Sequence, residues 1–446
     1  MYNFPKDFYS DVRIEKVFQT AIQNTMGKYD EIKEKEYEGA LLRLFDGKRW
    51  YYSSITEIDS IQEELDKLAQ LAHKNKEIEE NPIVKNFEVN KGEFFKFQGE
   101  NSVKSIDLGK KKELLDNYAP VIAENKFIKT WRLNYKDKNL VKYFYSSKGA
   151  DLKFDTQMCG FRVYYKLNNE DKNFEDMFSK ASENFEDITN CMEEYKTFVR
   201  DSVNFLNDAV DVIPGKYPVV LSPETAGVFA HESFGHKSEA DFMIGDKTMM
   251  KEWEIGKKVG SDILSIVDDG NLSGSGFVPF DDEGTKANET YLIKNGVLTG
   301  RLHSSVTAAS LNEDLTGNAR AINFEYEPIV RMTSTYIKPG EKTFKEIIKD
   351  IDKGVYIESF NHGSGMSTFT IAPRKAFMIR DGAIAEPVKI SVISGNVFET
   401  LNLIEDVTEE YRLRDMVGGG CGKMEQFPLS VSFGGPFVKV KTMNVQ

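Results

Sequence analysis

Hydrophobic and polar residues follow two different periods along this chain, and the change of period divides it into two parts. In the first part, apolar spacing near the helical period of 3.6 predicts three helical segments, the last with one break: residues 11–26, 57–78 and 172–208. Alternation predicts a strand pair around Asp46-Gly47, a dipeptide suited to a tight turn, and two or three strands over 127–166. The first part is therefore predicted to mix helices and strands.

The two parts meet at IPGKYP, residues 213–218, where two prolines and a glycine oppose regular structure. This composition predicts a domain boundary, with an N-terminal domain over 1–212 and a C-terminal domain over 213–446.

Alternating apolar residues dominate the second part. They flank Asn295-Gly296 and Asp381-Gly382, two dipeptides that favour hairpin turns, and they recur in the final segment FVKVKTMNV. The pattern predicts a mainly antiparallel β domain that carries one conspicuous helix. The predicted fold class is α+β, with an α/β-mixed domain followed by this β-rich domain.

Composition excludes several classes of protein. The 446 residues carry a formal net charge of −13 without a concentrated basic stretch, so nucleic-acid binding is not expected. No apolar run approaches the length of a membrane span, and the N-terminus is not a signal peptide. Three cysteines are too few for a disulfide framework. A cytoplasmic protein that does not bind membranes is the expectation.

The helix of the second part carries the motif HESFGH, residues 231–236. A short apolar strand, Val219 to Leu221, precedes it. Ser222 is a good N-cap, and Pro223 at the first helical position needs no partner for its missing N–H. The helix is therefore predicted to begin near 223 and to reach the motif after two turns.

His231 and His236 lie five residues apart, one more than in the HExxH signature of zinc proteases. On a regular α-helix this spacing points the two rings about 140° apart, instead of the about 40° of a four-residue spacing. A shared metal ion requires a locally widened helix, which Gly235 permits, so a distortion near Phe234-Gly235 is predicted. The alternative is two separate histidines that make ordinary hydrogen bonds.

Cys421, in MVGGGCGKMEQF, is the best candidate for a third metal ligand. Its glycine neighbours allow close approach to an ion, and Lys423 is expected to favour the thiolate. The alternative is a spare cysteine in a glycine-rich turn. Glu239 and Asp241 are fallback ligands, expected more readily to support the ligands or to face solvent. The other two cysteines, Cys159 and Cys191, are expected to be buried.

Two arginines and two histidines are candidates to contact the substrate. Arg320 and Arg331 are suited to grip a carboxylate or a backbone carbonyl of a substrate, and they are equally suited to hold loops together through ion pairs. His362, in NHGSGMS, and His303, in GRLHSS, are candidates to stabilise an oxyanion, although a structural role is the more common one for such histidines.

The motifs together resemble the TldD/PmbA family of zinc peptidases, in its metal-motif-bearing TldD-type branch. The similarity is carried by AHESFGHKSEADF and GCGK, and by DDEGTKANETYLIKNGVLTG and TGNAR between them. It is looser in ALLRLFDGKRWYYSS. The resemblance implies one Zn²⁺ per chain bound by His231, His236 and Cys421, with Glu232 as general base. It also implies peptide or unfolded-protein substrates, and a homodimer or a heterodimer with a related family member.

Two other functions remain open on the sequence. A cysteine hydrolase would use Cys421 as nucleophile with His231 or His236 as base, which leaves Glu232 without a role. A non-catalytic subunit would bind peptides along exposed strand edges. The presence of all four metal-site residues argues against the second.

Overall fold

The computed structural model describes residues 2–365 and 367–446. The first part of the chain contributes seven strands: β1 (Tyr9–Thr25), β2 (Lys28–Phe45), β3 (Trp50–Ile55), β4 (Lys91–Phe94), β5 (Ile128–Ser146), β6 (Asp151–Asn169) and β7 (Lys172–Ser182). They form one sheet in the order β3-β2-β1-β5-β6-β4, with β7 also paired to β6. All pairs are antiparallel except β4 with β6.

Four α-helices accompany this sheet: α1 (Ile61–Leu71), α2 (Pro82–Asn86), α3 (Leu108–Ala123) and α4 (Met192–Asp208). The helix predicted over 57–78 is present in shorter form as α1, and the strands predicted over 127–166 are confirmed as β5 and β6. The strand pair β2 and β3 is also confirmed. Of the two predicted turn residues, only Gly47 has a positive φ, at 94°.

Two helical predictions in the first part are wrong. Residues 11–25 fall in the central strand β1, and residues 172–182 form β7, so that only the α4 portion of the long predicted helix is α-helical. The sequence of β1 does not alternate between apolar and polar residues, because both faces of the strand are covered. Val12 and Phe18 pack under α1 and α3, whereas Arg13 on the opposite face donates hydrogen bonds to backbone carbonyls of the second part.

The second part contributes most of the remaining strands to one large sheet. Its strands are β8 (Val210–Asp211), β9 (Gly215–Leu221), β10 (Ile266–Asp269), β11 (Glu289–Lys294), β12 (Val297–Leu298), β13 (Ala319–Arg320), β14 (Ile329–Val330), β15 (Ser334–Ile337), β16 (Lys353–Gly365), β17 (Thr368–Arg380), β18 (Ala383–Lys389), β19 (Ile393–Asn396), β20 (Ile404–Arg414), β21 (Cys421–Lys423), β22 (Gln426–Leu429) and β23 (Ser432–Val445). Its helices are α5 (Pro223–Ala230), α6 (Lys247–Glu252), α7 (Ser305–Leu311), α8 (Phe344–Ile348) and α9 (Val397–Asn402).

The large sheet has the order β12-β11-β10-β15-β23-β9-β16-β17-β18-β8, with β19 and β20 attached to β23. Most pairs are antiparallel, as predicted, and three are parallel. Both predicted hairpin turns are confirmed, with positive φ at all four turn residues: Asn295, Gly296, Asp381 and Gly382. The division at 212/213 stays a prediction, and β8, just before it, already pairs with β18.

Helix α5 lies directly on the large sheet. It follows β9, whose last residues, 219–221, pair with both β23 and β16, so the chain leaves the sheet at its interior. A Cβ atom added at Gly227 would lie 2.4 Å from the backbone of Gly434 on β23. The two glycines therefore allow the helix and the strand to touch backbone to backbone, which fixes the height of α5 above the sheet.

Buried ion pairs hold the first sheet against the second part. Arg43 bridges Asp11 of its own sheet at 2.7 Å and Glu283 of the second part at 3.0 Å. Lys375 on β17 contacts Asp176 on β7 at 2.6 Å. Breaking a buried pair leaves an uncompensated charge, so these contacts resist separation of the two parts. In the described ranges, no helix is both long and apolar enough to cross a membrane.

Candidate metal site

The helix that carries HESFGH begins and widens where the sequence predicts. Ser222 caps α5 by accepting a hydrogen bond from the backbone N–H of Thr225 at 3.2 Å, and Pro223 occupies the first helical position. Regular α-helix ends at Ala230. A π-helical turn spans His231–Gly235, and a short 3₁₀ turn, His236–Ser238, follows it. The predicted distortion is therefore present.

The widened turn brings the two histidines together instead of letting them diverge. Their ring centroids lie 5.2 Å apart. Cys421 arrives from the far end of the chain, and its Sγ lies 3.2 Å from Nε2 of His236. One ligand atom each of His231, His236 and Cys421 lie within 4.8 Å of one another. Three predicted metal ligands thus meet at one point.

Gly235 is required at the end of this turn by its contact with Met332. A Cβ atom at this position would lie 1.8 Å from the Met332 sulfur. Gly235→Ala is expected to reduce the free energy of unfolding by about 1–3 kcal/mol, the usual cost of overpacking a core. Urea denaturation measures this difference. Gly215→Ala is the matched control, because its Cβ would meet only Tyr217 at an ordinary 3.4 Å. Equal stability of the two variants would contradict the prediction.

Cys421 opens the small hairpin of β21 and β22, which two buried arginines hold in place. Arg331 donates to the backbone carbonyl of Cys421 at 2.8 Å and to that of Gln426 at 3.2 Å. Arg320 donates to the carbonyls of Met332 and Ser430. These contacts match the alternative in which the arginines hold loops together, although their partners are carbonyls rather than carboxylates.

Glu239 lies behind His236 and orients its ring. The Glu239 carboxylate is 3.3 Å from Nδ1 of His236, which leaves Nε2 directed at Cys421. The same carboxylate contacts Lys423 at 3.1 Å, and Lys423 also binds Asp241 at 2.7 Å. A carboxylate on the second ring nitrogen is the usual support of a metal-binding histidine. Glu239 and Asp241 therefore lie where they would support the candidate ligands, and neither belongs to the converging group of His231, His236 and Cys421.

The histidines, not Lys423, make Cys421 acidic. Burial alone would raise the pKa of the Cys421 thiol, but hydrogen bonds and charge from His231 and His236 lower it to about 5. For His236, burial acts to lower the pKa, whereas its bonds to Cys421 and Glu239 raise it to about 10. Lys423, which was expected to favour the thiolate, forms ion pairs with Glu239 and Asp241. A thiolate suits either a metal ligand or a nucleophile.

Glu232 lies next to His231 in the widened turn and is partly exposed. The end of β16 passes over it, since a Cβ atom at Gly363 would lie 3.6 Å from the Glu232 Cγ. His362, one residue earlier on that strand, is exposed. This contact places the backbone of β16 beside Glu232, whereas the His362 side chain, next to Gly363 on a strand, is expected to point to the other face. Cys159 and Cys191, which belong to the first part of the chain, are buried, as predicted.

The donor set fits a tetrahedral zinc ion. Two imidazoles and one thiolate are common ligands of catalytic zinc, and ligand atoms around such an ion are separated by about 3.5 Å. The 3.2 Å between His236 and Cys421 is close to that spacing. Among the described residues, Nδ1 of His231 is buried without a hydrogen-bond partner. An ion or a water molecule at the site would relieve such an unpaired nitrogen.

Comparisons with known proteins cover both parts of the chain. Residues 214–446 match the family described as PmbA/TldA metallopeptidase C-terminal domain, and residues 10–76 match PmbA/TldA metallopeptidase domain 1. Metalloprotease slr0863 of Synechocystis is 31% identical over 100% of this chain and 96% of its own length. The zinc metalloprotease TldD homolog of Saccharolobus solfataricus is 31% identical over 71% of both chains.

A solved structure shows the same fold. TldE from Thermococcus kodakarensis superposes with a TM-score of 0.76 at 16% sequence identity, covering 98% of this chain and 96% of that one.

Proposed function

Because the chain belongs to the PmbA/TldD family of metallopeptidases, we propose that it hydrolyses peptide bonds with one zinc ion held by His231, His236 and Cys421. The observation that carries the proposal is the meeting of these three ligand atoms within 4.8 Å. His231 begins the π turn, His236 directly follows it, and Cys421 comes from a hairpin 185 residues after His236. The zinc named in the Saccharolobus solfataricus relative supports the choice of metal.

Each residue of the site has a defined task in this proposal. When bound, zinc would polarise the scissile carbonyl and lower the pKa of a coordinated water molecule. Glu232 accepts the proton of the attacking water and passes it to the leaving amine, as a carboxylate beside the ligands can. Glu239 keeps Nε2 of His236 directed at the site. Arg331 fixes the backbone of Cys421.

Peptides and unfolded protein segments are the proposed substrates. The first sheet lies over the loop that carries Cys421, since a Cβ atom at Gly160 would lie 2.8 Å from Val417. A site closed in by a second sheet favours narrow, extended chains over folded proteins. His362 is the candidate substrate-binding residue with an exposed side chain; the carbonyl contacts of Arg320 and Arg331 make that role less suited to them. A homodimer or a pairing with a related chain is proposed from the likeness to TldE.

A cysteine hydrolase is the second candidate function. It is favoured by one observation, the thiol pKa of about 5 in contact with an imidazole. This alternative leaves Glu232 unused and gives no reason for two histidines on the same sulfur.

Removal of the metal distinguishes the two functions. The purified protein is expected to contain one zinc per chain and to cleave unstructured peptides. Cleavage should be lost on treatment with a chelator and should return when Zn²⁺ is added, because the ion is the proposed activator of water. Cleavage that survives complete chelation but stops on alkylation of Cys421 would establish the cysteine hydrolase instead. Bound zinc without cleavage of any peptide in a broad library would indicate a binding subunit.

A further inference from the structure

Three basic side chains of the first sheet face the loop that precedes Cys421. Arg132 and Lys136 lie on β5, and Arg162 lies on the neighbouring β6. In the antiparallel register Arg162 is opposite Asn134, midway between the two β5 residues. Side chains two residues apart on a strand share a face, so the three cations form one cluster. Arg132, Lys136 and Arg162 are called the basic pocket below.

The loop that leads to Cys421 lies directly on this cluster. A Cβ atom at Gly418 would lie 2.5 Å from Cδ of Lys136, and one at Gly419 would lie 2.9 Å from Nη2 of Arg162. Any larger residue at these two positions would occupy space that the basic side chains use. The glycines therefore keep the cations and the backbone of the loop in contact, three residues from the proposed metal ligand.

Among the described residues, the cations of the basic pocket have no ion-pair partner, and the exposed carboxylate of Asp30 beside them accepts a hydrogen bond from the Gln23 amide at 3.3 Å. Across residues 2–365 and 367–446, no carboxylate forms an ion pair with Arg132, Lys136 or Arg162, although the chain as a whole carries 71 acidic residues. The Nε atom of Arg162 is buried without a hydrogen-bond partner in the same described ranges. Its Nη1 makes only a long contact of 3.5 Å with the Tyr164 hydroxyl. Buried donors of a guanidinium normally find an acceptor, and this one has none in the part of the chain that the structure describes.

A cavity of about 240 Å³ opens between these side chains. The amides of Gln23 and Asn134 and the ring of Tyr164 line it together with the three cations, and its lining includes no acidic residue of the described ranges. Amide and phenol groups donate hydrogen bonds to oxygen atoms, and guanidinium groups bind carboxylates with two parallel bonds. The cavity has the charge and the donors of an anion site.

We propose that the basic pocket binds a carboxylate group of the peptide substrate and thereby selects acidic segments for cleavage. This inference rests on the proposed peptidase function and adds the substrate class. Gly418 lies three residues before Cys421, so their Cα atoms are at most about 11 Å apart. An extended peptide covers that distance with about three residues. The carboxylate belongs either to an Asp or Glu side chain or to the C-terminus of the peptide.

Matched peptides measure the selection directly. They share one unstructured sequence, differ by Glu or Gln at a position two to four residues from the cleaved bond, and end in a free carboxylate or an amide. Their dissociation constants are measured on the full-length Glu232→Gln protein, in which cleavage is suppressed. One charged contact is expected to favour the acidic peptide by about tenfold. Higher salt should reduce that preference.

Variants locate the preference. Lys136→Gln and Arg162→Gln, each in the Glu232→Gln background, should bring the two dissociation constants together. Lys129→Gln is the control on the same strand, because its side chain is exposed and contacts only the carbonyl of Lys126. Lys136 is exposed as well, so its variant is expected to fold even if Arg162→Gln does not.

Each outcome decides the inference. A Glu-over-Gln preference assigns the pocket to a side chain, and a preference for the free terminus over the amide assigns it to the C-terminus. The proposal is overturned if the dissociation constants are equal in both peptide comparisons. It is also overturned if a preference persists in both Lys136→Gln and Arg162→Gln. Selective binding without cleavage by the unsubstituted protein would refute the peptidase function and leave the pocket in place. Cleavage without selective binding would overturn the proposal for the basic pocket and leave the peptidase function in place.

Discussion

Replacing Glu232 by glutamine should lower the rate of peptide cleavage by about 10²–10⁴-fold, the usual contribution of a general base. The amide has nearly the same shape as the carboxylate but does not accept a proton from water at neutral pH. Glu232 supplies none of the three converging ligand atoms, so the proposed zinc ion should stay bound. The loss should therefore appear in kcat rather than in metal content.

Steady-state cleavage and metal analysis of the same preparation test this expectation. Glu254→Gln is the control, because Glu254 is exposed and lies outside the widened turn. Its rate should match that of the unsubstituted protein. A Glu232→Gln protein that retains zinc and full activity would show that another group activates the water.

Replacing Cys421 by serine should remove both the metal and the activity. The thiolate is one of three protein ligands, and a serine hydroxyl at its ordinary pKa is a poor substitute for it. The affinity for zinc should fall by more than about 100-fold, beyond the loss typical of a supporting residue. Zinc content after dialysis against a weak chelator measures the change.

Cys191→Ser is the matched control for this variant. Cys191 is buried and contacts the Tyr118 hydroxyl at 3.0 Å, remote from the histidines in the fold. It should keep its zinc and its activity. A Cys421→Ser protein that holds a full complement of zinc but does not cleave peptides would favour Cys421 as a nucleophile.

The strands of the second part were predictable where one short-range signal specified them. Asn295-Gly296 and Asp381-Gly382 adopt positive φ angles that few other dipeptides tolerate, so the hairpins follow from local sequence. β1 was not predictable in this way. The apolar residues Ile14, Val17, Phe18, Ala21 and Ile22 have helical spacing, and they are distributed over two faces because helices cover one side of the strand and the second part covers the other. Tertiary contacts removed the period of two on which strand prediction depends.

The convergence of the candidate ligands was predictable from the sequence, and most of the contacts that support them were not. His231, Glu232, His236 and Cys421 stand in motifs whose residue types already indicate metal chemistry. The hydrogen bond of Arg331 to the carbonyl of Cys421 joins residues 90 positions apart and leaves no local signal. The same holds for the basic pocket. Its cations belong to strands of the first part, and no local sequence signal shows that the glycine loop of the second part packs against them.

The position of Cys421 also determines when the site can exist during synthesis on the ribosome. The imidazole of His236 is translated 185 residues before the thiolate that completes the proposed set, and that of His231 five residues earlier still. A nascent chain that ends before the glycine loop presents two nitrogen ligands and no sulfur, which is insufficient for tight zinc binding. Loop closure over such a separation is also slow compared with local folding. The proposed peptidase would therefore be inactive until its synthesis is almost finished. Chains truncated before Cys421 would not hydrolyse peptides.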